Sequence, residues 1–273
     1  GIVEICDGVP VFVSGSGANS MKIGAADLDA VITAKTKWLI LNSPSNPGGV
    51  GYSEADLADL AAVLRRHPQV HVISDDIYEH LTYDAFRFAT LAAVAPDLQD
   101  RILTVNGVSK SYCMTGWRIG YGAGPKPLIK AMAKVQSQST SSPNSIAQYA
   151  AIAALDGPLD FMAATRTAFA RRRRLVCDAL NAIDGIDCPL PDGAFYVYPS
   201  IAGLIGRRRP GGQIIETDSD YVAYVLETAE VAVVLGIAFG LSPCFRVSYA
   251  AADDVLADAM MRIARVTADL SHA

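Results

Sequence analysis

KWLILNSPSNPGGVGYSEADLADLAAVLRRHPQVHVISD, residues 37–75, decides the fold. It opens on a compact apolar run, KWLILN (37–42), of strand length, and passes through a turn-rich loop, SPSNPGGVGY (43–52). Ser53 then reads as a helix N-cap, with Asp56 three residues on completing a capping box. Leu57, Leu60, Ala61 and Leu64 recur at helical spacing behind it. VHVIS (70–74) returns a strand and RILTVN (101–106) another. Strand, helix, strand at this spacing predicts right-handed parallel βαβ construction, hence an α/β fold.

Working outward, helical patterns follow near 126–136, 145–155 and 160–182, the last carrying Arg171 to Arg174 as an expected solvated face. After it the texture changes to short mixed segments. FYVYP (195–199) and FRVSYA (245–250) read as strands, YVAYVLETA (221–229) and 252–270 as helices, and LIGRRRPGGQ (204–213) as an exposed loop. A domain boundary is expected near residue 170, giving a large domain over 1–170 and a small one over 171–273. Upstream, GIVEICDGVPVFV (1–13) reads as strand material. No internal repeat appears.

Composition narrows the function. The chain has 273 residues, 51% hydrophobic and 19% charged, which is ordinary globular material and excludes disorder or a collagen-like repeat. Lys plus Arg total 23 against 28 Asp plus Glu, net −5, so no nucleic-acid or anionic-membrane partner is expected and a small-molecule ligand is. The five cysteines, Cys6, Cys113, Cys177, Cys188 and Cys244, lack C-x-x-C spacing and suit reduced thiols in a cytoplasmic protein. The apolar stretch near 231–241 is broken by glycine and too short to span a membrane. The opening residues lack the basic-then-apolar order of a leader. His67 and His71 have helical ligand spacing, but Pro68 between them breaks it, so no metal is expected.

The chemistry-bearing residues follow the ends of the expected parallel strands, where open α/β sheets bind ligands. Asn46 follows the first. Asp75, Asp76 and Tyr78 follow the second, and Ser109, Lys110 and Arg118 the third. Taken singly, Lys110 is an ordinary surface charge, and Asp75 with Asp76 a helix N-terminal pair.

Four strings change that reading: NSPSNPGG (42–49), SDDIYEHLTYD (74–84), VNGVSKSYCMTGWRIGYG (105–122) and FRVSYA (245–250). Together, and in this order, they resemble the class I aminotransferases, fold-type-I pyridoxal-phosphate enzymes. AGLIG (202–206), IIETD (214–218) and FGLSPCFRVSYA (239–250) make the bacterial aspartate aminotransferase subgroup the nearest match. The resemblance implies a mainly parallel central sheet flanked by helices, with a smaller α+β C-terminal domain. It implies pyridoxal 5′-phosphate as cofactor, a homodimer, and transfer of an amino group between an amino acid, aspartate favoured, and a 2-oxo acid such as 2-oxoglutarate. Prephenate, aromatic or other amino-acid transfer, carbon–sulfur lyase chemistry and a non-catalytic regulatory domain stand as alternatives.

Carried over residue by residue, Lys110 is implied to bond to the cofactor aldehyde and to move the substrate α-proton as base. Asp75 is implied to pair with the pyridinium nitrogen. Asn46 and Tyr78 would hydrogen-bond the phenolic oxygen, Arg118 with Ser109 would take the phosphate, and Arg246 with Asn46 the substrate α-carboxylate. Two departures stand out. Gly48 replaces a common Thr, and Gly107 stands where many members place a phosphate-binding Ser. Members of the family also carry, ahead of the string resembling GVPVFV, a phosphate loop, a ring-stacking aromatic and dimer contacts, so this stretch is expected to supply half a pocket.

Overall fold

The computed structural model describes residues 1–15 and 21–271, grouped into two compact units. The first takes Gly1–Ser43, Tyr52–Glu79 and Arg87–Gly157. The second takes everything from Pro158 onward, together with the loops Pro44–Gly51 and His80–Phe86. The boundary expected near residue 170 falls inside an uninterrupted helix, Asp160–Asn181, which belongs wholly to the second unit.

In the first unit the elements run α1 (Ile2–Ile5), α2 (Ala25–Val31), β1 (Trp38–Asn42), α3 (Glu54–Arg66), β2 (His71–Asp75), α4 (Leu91–Val94), β3 (Ile102–Gly107), β4 (Gly120–Ala123), α5 (Lys126–Ser139) and α6 (Ser145–Asp156). The sheet order is β1-β2-β3-β4. β1, β2 and β3 are parallel, in register at Asn42↔Asp75 and Asp75↔Val105, as the alternation of strand and helix predicts. β4 is antiparallel to β3. A parallel return needs a crossover of a dozen or more residues, usually helical. The residues between β3 and β4 hold only one tight turn, Thr115–Trp117, so the chain reverses.

α3 forms as its sequence requires. The Ser53 hydroxyl accepts the Asp56 amide at 3.2 Å while the Asp56 carboxylate accepts the Ser53 amide at 2.7 Å. Leu57, Leu60, Ala61 and Leu64 are buried against Leu41 and Val72 of the sheet, with Leu91 and Ile102 in the same core. One expectation fails. Residues 2–5 form a helical turn, not a strand, because no described strand lies alongside to take their backbone groups and local bonds such as Ile5 N to Gly1 O satisfy them instead.

The second unit contains α7 (Asp160–Asn181), β5 (Tyr196–Val197), α8 (Asp218–Ala229), β6 (Val234–Leu235), β7 (Phe245–Ser248) and α9 (Asp253–Ala268). Its antiparallel sheet has the order β5-β7-β6. Phe245 and Val247 pack with Leu180 of α7, Tyr221 and Val225 of α8, and Met260 and Ile263 of α9. This is the α+β arrangement the resemblance implies.

The Arg171–Arg174 run is only partly a solvated face. Arg171 and Arg172 pair with Asp253, but Arg173 is buried, donating to the Pro191 carbonyl at 2.6 Å, pairing with Asp84 and lying 4.6 Å from the Tyr83 ring centre. No helix among the described residues is long and apolar enough to cross a membrane, and none of their His, Cys, Asp and Glu side chains gather into a metal-binding group.

Candidate active site

The first unit gathers Asp75, Tyr78, Ser109, Lys110 and Arg118 at the C-terminal edge of its parallel strands. Asp75 is the last residue of β2, and its carboxylate accepts the Ile77 amide at 3.2 Å. Burial raises its pKa and that one amide opposes the rise; no basic side chain among the described residues contributes. A carboxyl so placed is held short of a cation. Asp76 beside it points elsewhere: it is buried, its backbone amide bonds Val105 O, and its carboxyl accepts the Ser74 hydroxyl at 2.9 Å. Burial, with Glu79 and Asp75 nearby, pushes Asp76 up to about 6. Tyr78 is buried two residues further on.

Ser109, Lys110 and Arg118 lie on the reversal between β3 and β4. Val108 N bonds Ile119 O at 3.3 Å and closes its base, so Lys110 and Arg118 leave from facing sides of one loop. Cys113 N bonds Lys110 O at 3.2 Å. Arg118 is exposed, sits in the left-handed region at φ 55°, and is held by its own guanidinium on Thr115 O at 2.8 Å. Such a backbone costs a non-glycine residue about 1–3 kcal/mol, and this kind of strain clusters at ligand sites. Gly107 has a physical reason to be glycine: a Cβ there would lie 2.8 Å from Ile119 O.

The second unit holds Asn46 and Arg246. Asn46 rides a tight loop closed by Ser45 N to Val50 O (3.0 Å) and Gly49 N to Ser45 O (2.8 Å). That loop is tied down in turn, Gly193 N donating to Gly49 O at 2.8 Å and Gly51 N to the Asp192 carboxylate at 3.0 Å. Arg246 is on β7, the central strand. Its Nη1 donates to Asn46 Oδ1 at 2.8 Å, and its guanidinium lies 4.6 Å from the Tyr196 ring centre and 4.9 Å from that of Phe239. Its Nε is buried with no hydrogen-bond partner.

Three groups near these residues escaped the sequence reading. Ser111 is buried one residue past Lys110 with its hydroxyl unpartnered, and only its place in S-K-S hinted at it. Tyr196 and Phe239 flank Arg246, but they came from a strand pattern and a family string that carry no sign of which ring meets a cation.

Comparison with known proteins now decides the lineage. The sequence profile described as aminotransferase class I and II matches residues 1–263. The chain belongs to this family. An aspartate aminotransferase of Rhizobium meliloti (strain 1021) is 54% identical over 99% of the chain and 66% of its own length. An aspartate/prephenate aminotransferase of Cereibacter sphaeroides is 56% identical over 99% of the chain and 68% of its own. The crystal structure of the Rhizobium meliloti aspartate aminotransferase superposes with a TM-score of 0.96 at 54% identity, covering 99% of this chain and 68% of that one. The chain thus spans about two thirds of the length of these aminotransferases, and its fold is the fold-type-I arrangement.

Proposed function

We propose that the protein is a pyridoxal-phosphate-dependent aminotransferase that moves an amino group between aspartate, or a related amino acid, and a 2-oxo acid such as 2-oxoglutarate. The observation that carries this reading is the edge of the first unit's sheet, where a half-buried carboxyl with no cation beside it, Asp75, ends β2 and an amine, Lys110, lies on the loop after β3. The donor set fits the cofactor. A protonated ring nitrogen supplies the cation Asp75 lacks, and Ser109 with Arg118 offers a hydroxyl and a guanidinium to a phosphate. The unpartnered Ser111 hydroxyl is a further donor close by.

When bound, pyridoxal phosphate supplies the electron sink that makes the substrate α-proton removable. The chain's residues do the rest. Lys110 would hold the cofactor through its amine and would serve as the base for the substrate α-proton. The Asp75 carboxylate would keep a proton on the ring nitrogen, and Tyr78 of the first unit would donate to the phenolic oxygen, a role the family resemblance gives to Asn46 as well. Arg246 reads the substrate α-carboxylate. Asn46 fixes its Nη1, and the Tyr196 and Phe239 rings lie beside the guanidinium, whose remaining planar donors would suit two carboxylate oxygens.

A homodimer and a cytoplasmic location complete the reading. Ile146, Tyr149 and Ile152 are exposed along one face of α6, a surface that a second copy would cover. All five cysteines are unlinked, which suits a reducing compartment.

The test is reductive labelling. Incubation with pyridoxal phosphate and then borohydride should fix the cofactor on Lys110, read by peptide mass spectrometry, and the loaded protein should exchange amino groups between aspartate and 2-oxoglutarate. Label on another lysine overturns the Lys110 assignment; label on Lys110 without transfer to any 2-oxo acid overturns the reaction.

A further inference from the structure

Cys177 and Cys188 were unremarkable in the sequence, eleven positions apart with no paired motif. The fold brings their sulfurs to 3.8 Å. Both side chains are buried in the core of the second unit, each 2% exposed, among Val176, Leu180, Ile183 and Ile186. The backbones that carry them are fixed on both sides. Cys177 lies in the last turns of α7, and Asn181 of the same helix holds Cys188 twice, Nδ2 donating to its carbonyl at 2.9 Å and Oδ1 accepting its amide at 2.7 Å. Asp187 and Ser200 exchange both backbone bonds, 3.0 and 2.8 Å, and pin the other flank. A disulfide needs a sulfur separation of about 2.05 Å, so side-chain rotation has to close less than about 2 Å between groups that already touch.

We propose that Cys177 and Cys188 are an oxidisable pair that closes into an intramolecular disulfide, with a small peroxide as oxidant. The Cys188 thiol donates to the Cys177 sulfur; that contact and burial hold Cys188 far above the usual thiol range. Cys188 is the thiol that resists ionisation, so Cys177 is assigned as the attacking sulfur. It attacks one peroxide oxygen and breaks the O–O bond, giving a sulfenic acid and, with a proton, one water. The Cys188 sulfur then attacks the sulfenic sulfur; the S–S bond forms, hydroxide leaves and takes the Cys188 proton as a second water. Two thiols lose two electrons in all, and one hydrogen peroxide is reduced to two waters. Burial makes the first step slow, and the product staples the end of α7 to the segment that follows it.

The experiment uses the full chain with the exposed Cys6 and Cys113 changed to serine, kept folded as judged by circular dichroism, and treated with hydrogen peroxide. Remaining thiols are alkylated under denaturing conditions and the digest is read with and without a phosphine. The expected result is a linked peptide pair containing Cys177 and Cys188, lighter by two hydrogens than the reduced pair and lost on phosphine treatment, with a higher melting midpoint for the oxidised protein. Cys188→Ser should instead trap a sulfenic acid on Cys177 that dimedone captures, while Cys177→Ser leaves Cys188 unmodified. Both thiols fully alkylated after the peroxide has consumed an added small thiol, sulfinic acid without linked peptides, or linkage to Cys244 overturns the proposal. The linked-peptide measurement needs neither serine variant of the pair, so it decides even if those fail to fold.

Discussion

At the scale of single residues, the adjacent carboxyls Asp75 and Asp76 differ in what they face. Asp75 ends β2 with one amide for company, whereas Asp76 is turned into the first unit's interior against Ser74. The sequence reading separated them by family pattern alone, since two aspartates in a row carry no mark of which is buried. The structure adds a consequence for Asp76. Its proton leaves at about 6 in the folded chain and near 3.9 in the unfolded one. A folded pKa raised in this way contributes stability that is complete below about pH 4 and is lost as pH rises through about 6. Asp253 behaves oppositely. Arg171 and Arg172 hold it at about 2, so its contribution is lost only on acidification below the Asp76 window. Asp76→Asn should therefore abolish one slope. The stability difference between the variant and the unsubstituted protein, from urea melts at pH 4 and pH 7, should shift in favour of Asn by on the order of 2–3 kcal/mol on going to pH 7. A difference that stays constant across that range would show that Asp76 is ionised in the fold.

Elements were legible where local rules and packing agree. The capping box of α3 and its apolar stripe were both readable because one short segment encodes them, and both are present. The opening thirteen residues misled because strand-like composition is realised only where a neighbour takes the backbone bonds, and composition does not name the neighbour. The sequence marks the loop that carries Asn46 only as turn-rich, yet Gly49 within it has a specific duty. Gly49 has φ +65°, and a Cβ on it would stand 2.5 Å from Pro191 Cβ and 2.6 Å from Gly193 O. Left-handed backbone and overpacking add, so Gly49→Ala should cost at least about 2 kcal/mol. Gly116→Ala, where a Cβ meets nothing within 4 Å, should stay within about 0.5 kcal/mol of the unsubstituted protein. Equal melting midpoints for the two variants would refute this account of the loop. α6 offers a second test. Ile146, Tyr149 and Ile152, exposed at 69%, 75% and 54%, share one helical face. Changing Tyr149 to Glu together with Ile152 to Asp should move the protein from dimer to monomer in analytical ultracentrifugation, with helix content kept because neither side chain is part of the core. A monomeric unsubstituted protein, or a double variant that remains dimeric, would refuse the homodimer built on this face.

At the scale of the whole molecule, the two units divide the chemistry. The first carries the amine, carboxyl and phenol that the proposed function assigns to the cofactor; the second carries the guanidinium it assigns to the substrate, together with Asn46, which it assigns to both. The family strings made those side chains legible, but not the support beneath them: the aromatic rings beside Arg246, its Asn46 anchor and its buried Nε come from residues far apart in sequence. That support makes Arg246 the sharpest test of what the protein acts on. Every amino acid and 2-oxo acid shares the α-carboxylate, so a fork reading that group should affect all substrates alike and leave the preference among them nearly intact. Arg246→Lys keeps the charge but loses the planar pair of donors and the ring contacts, a loss of roughly 2 to 5 kcal/mol in transition-state binding. kcat/KM should fall by a similar large factor for aspartate, an aromatic amino acid and 2-oxoglutarate, while the cofactor absorption band and the borohydride label on Lys110 remain unaltered. A loss confined to dicarboxylic substrates would place Arg246 at the side-chain carboxylate instead, and a lost cofactor band would make it a structural residue of β7.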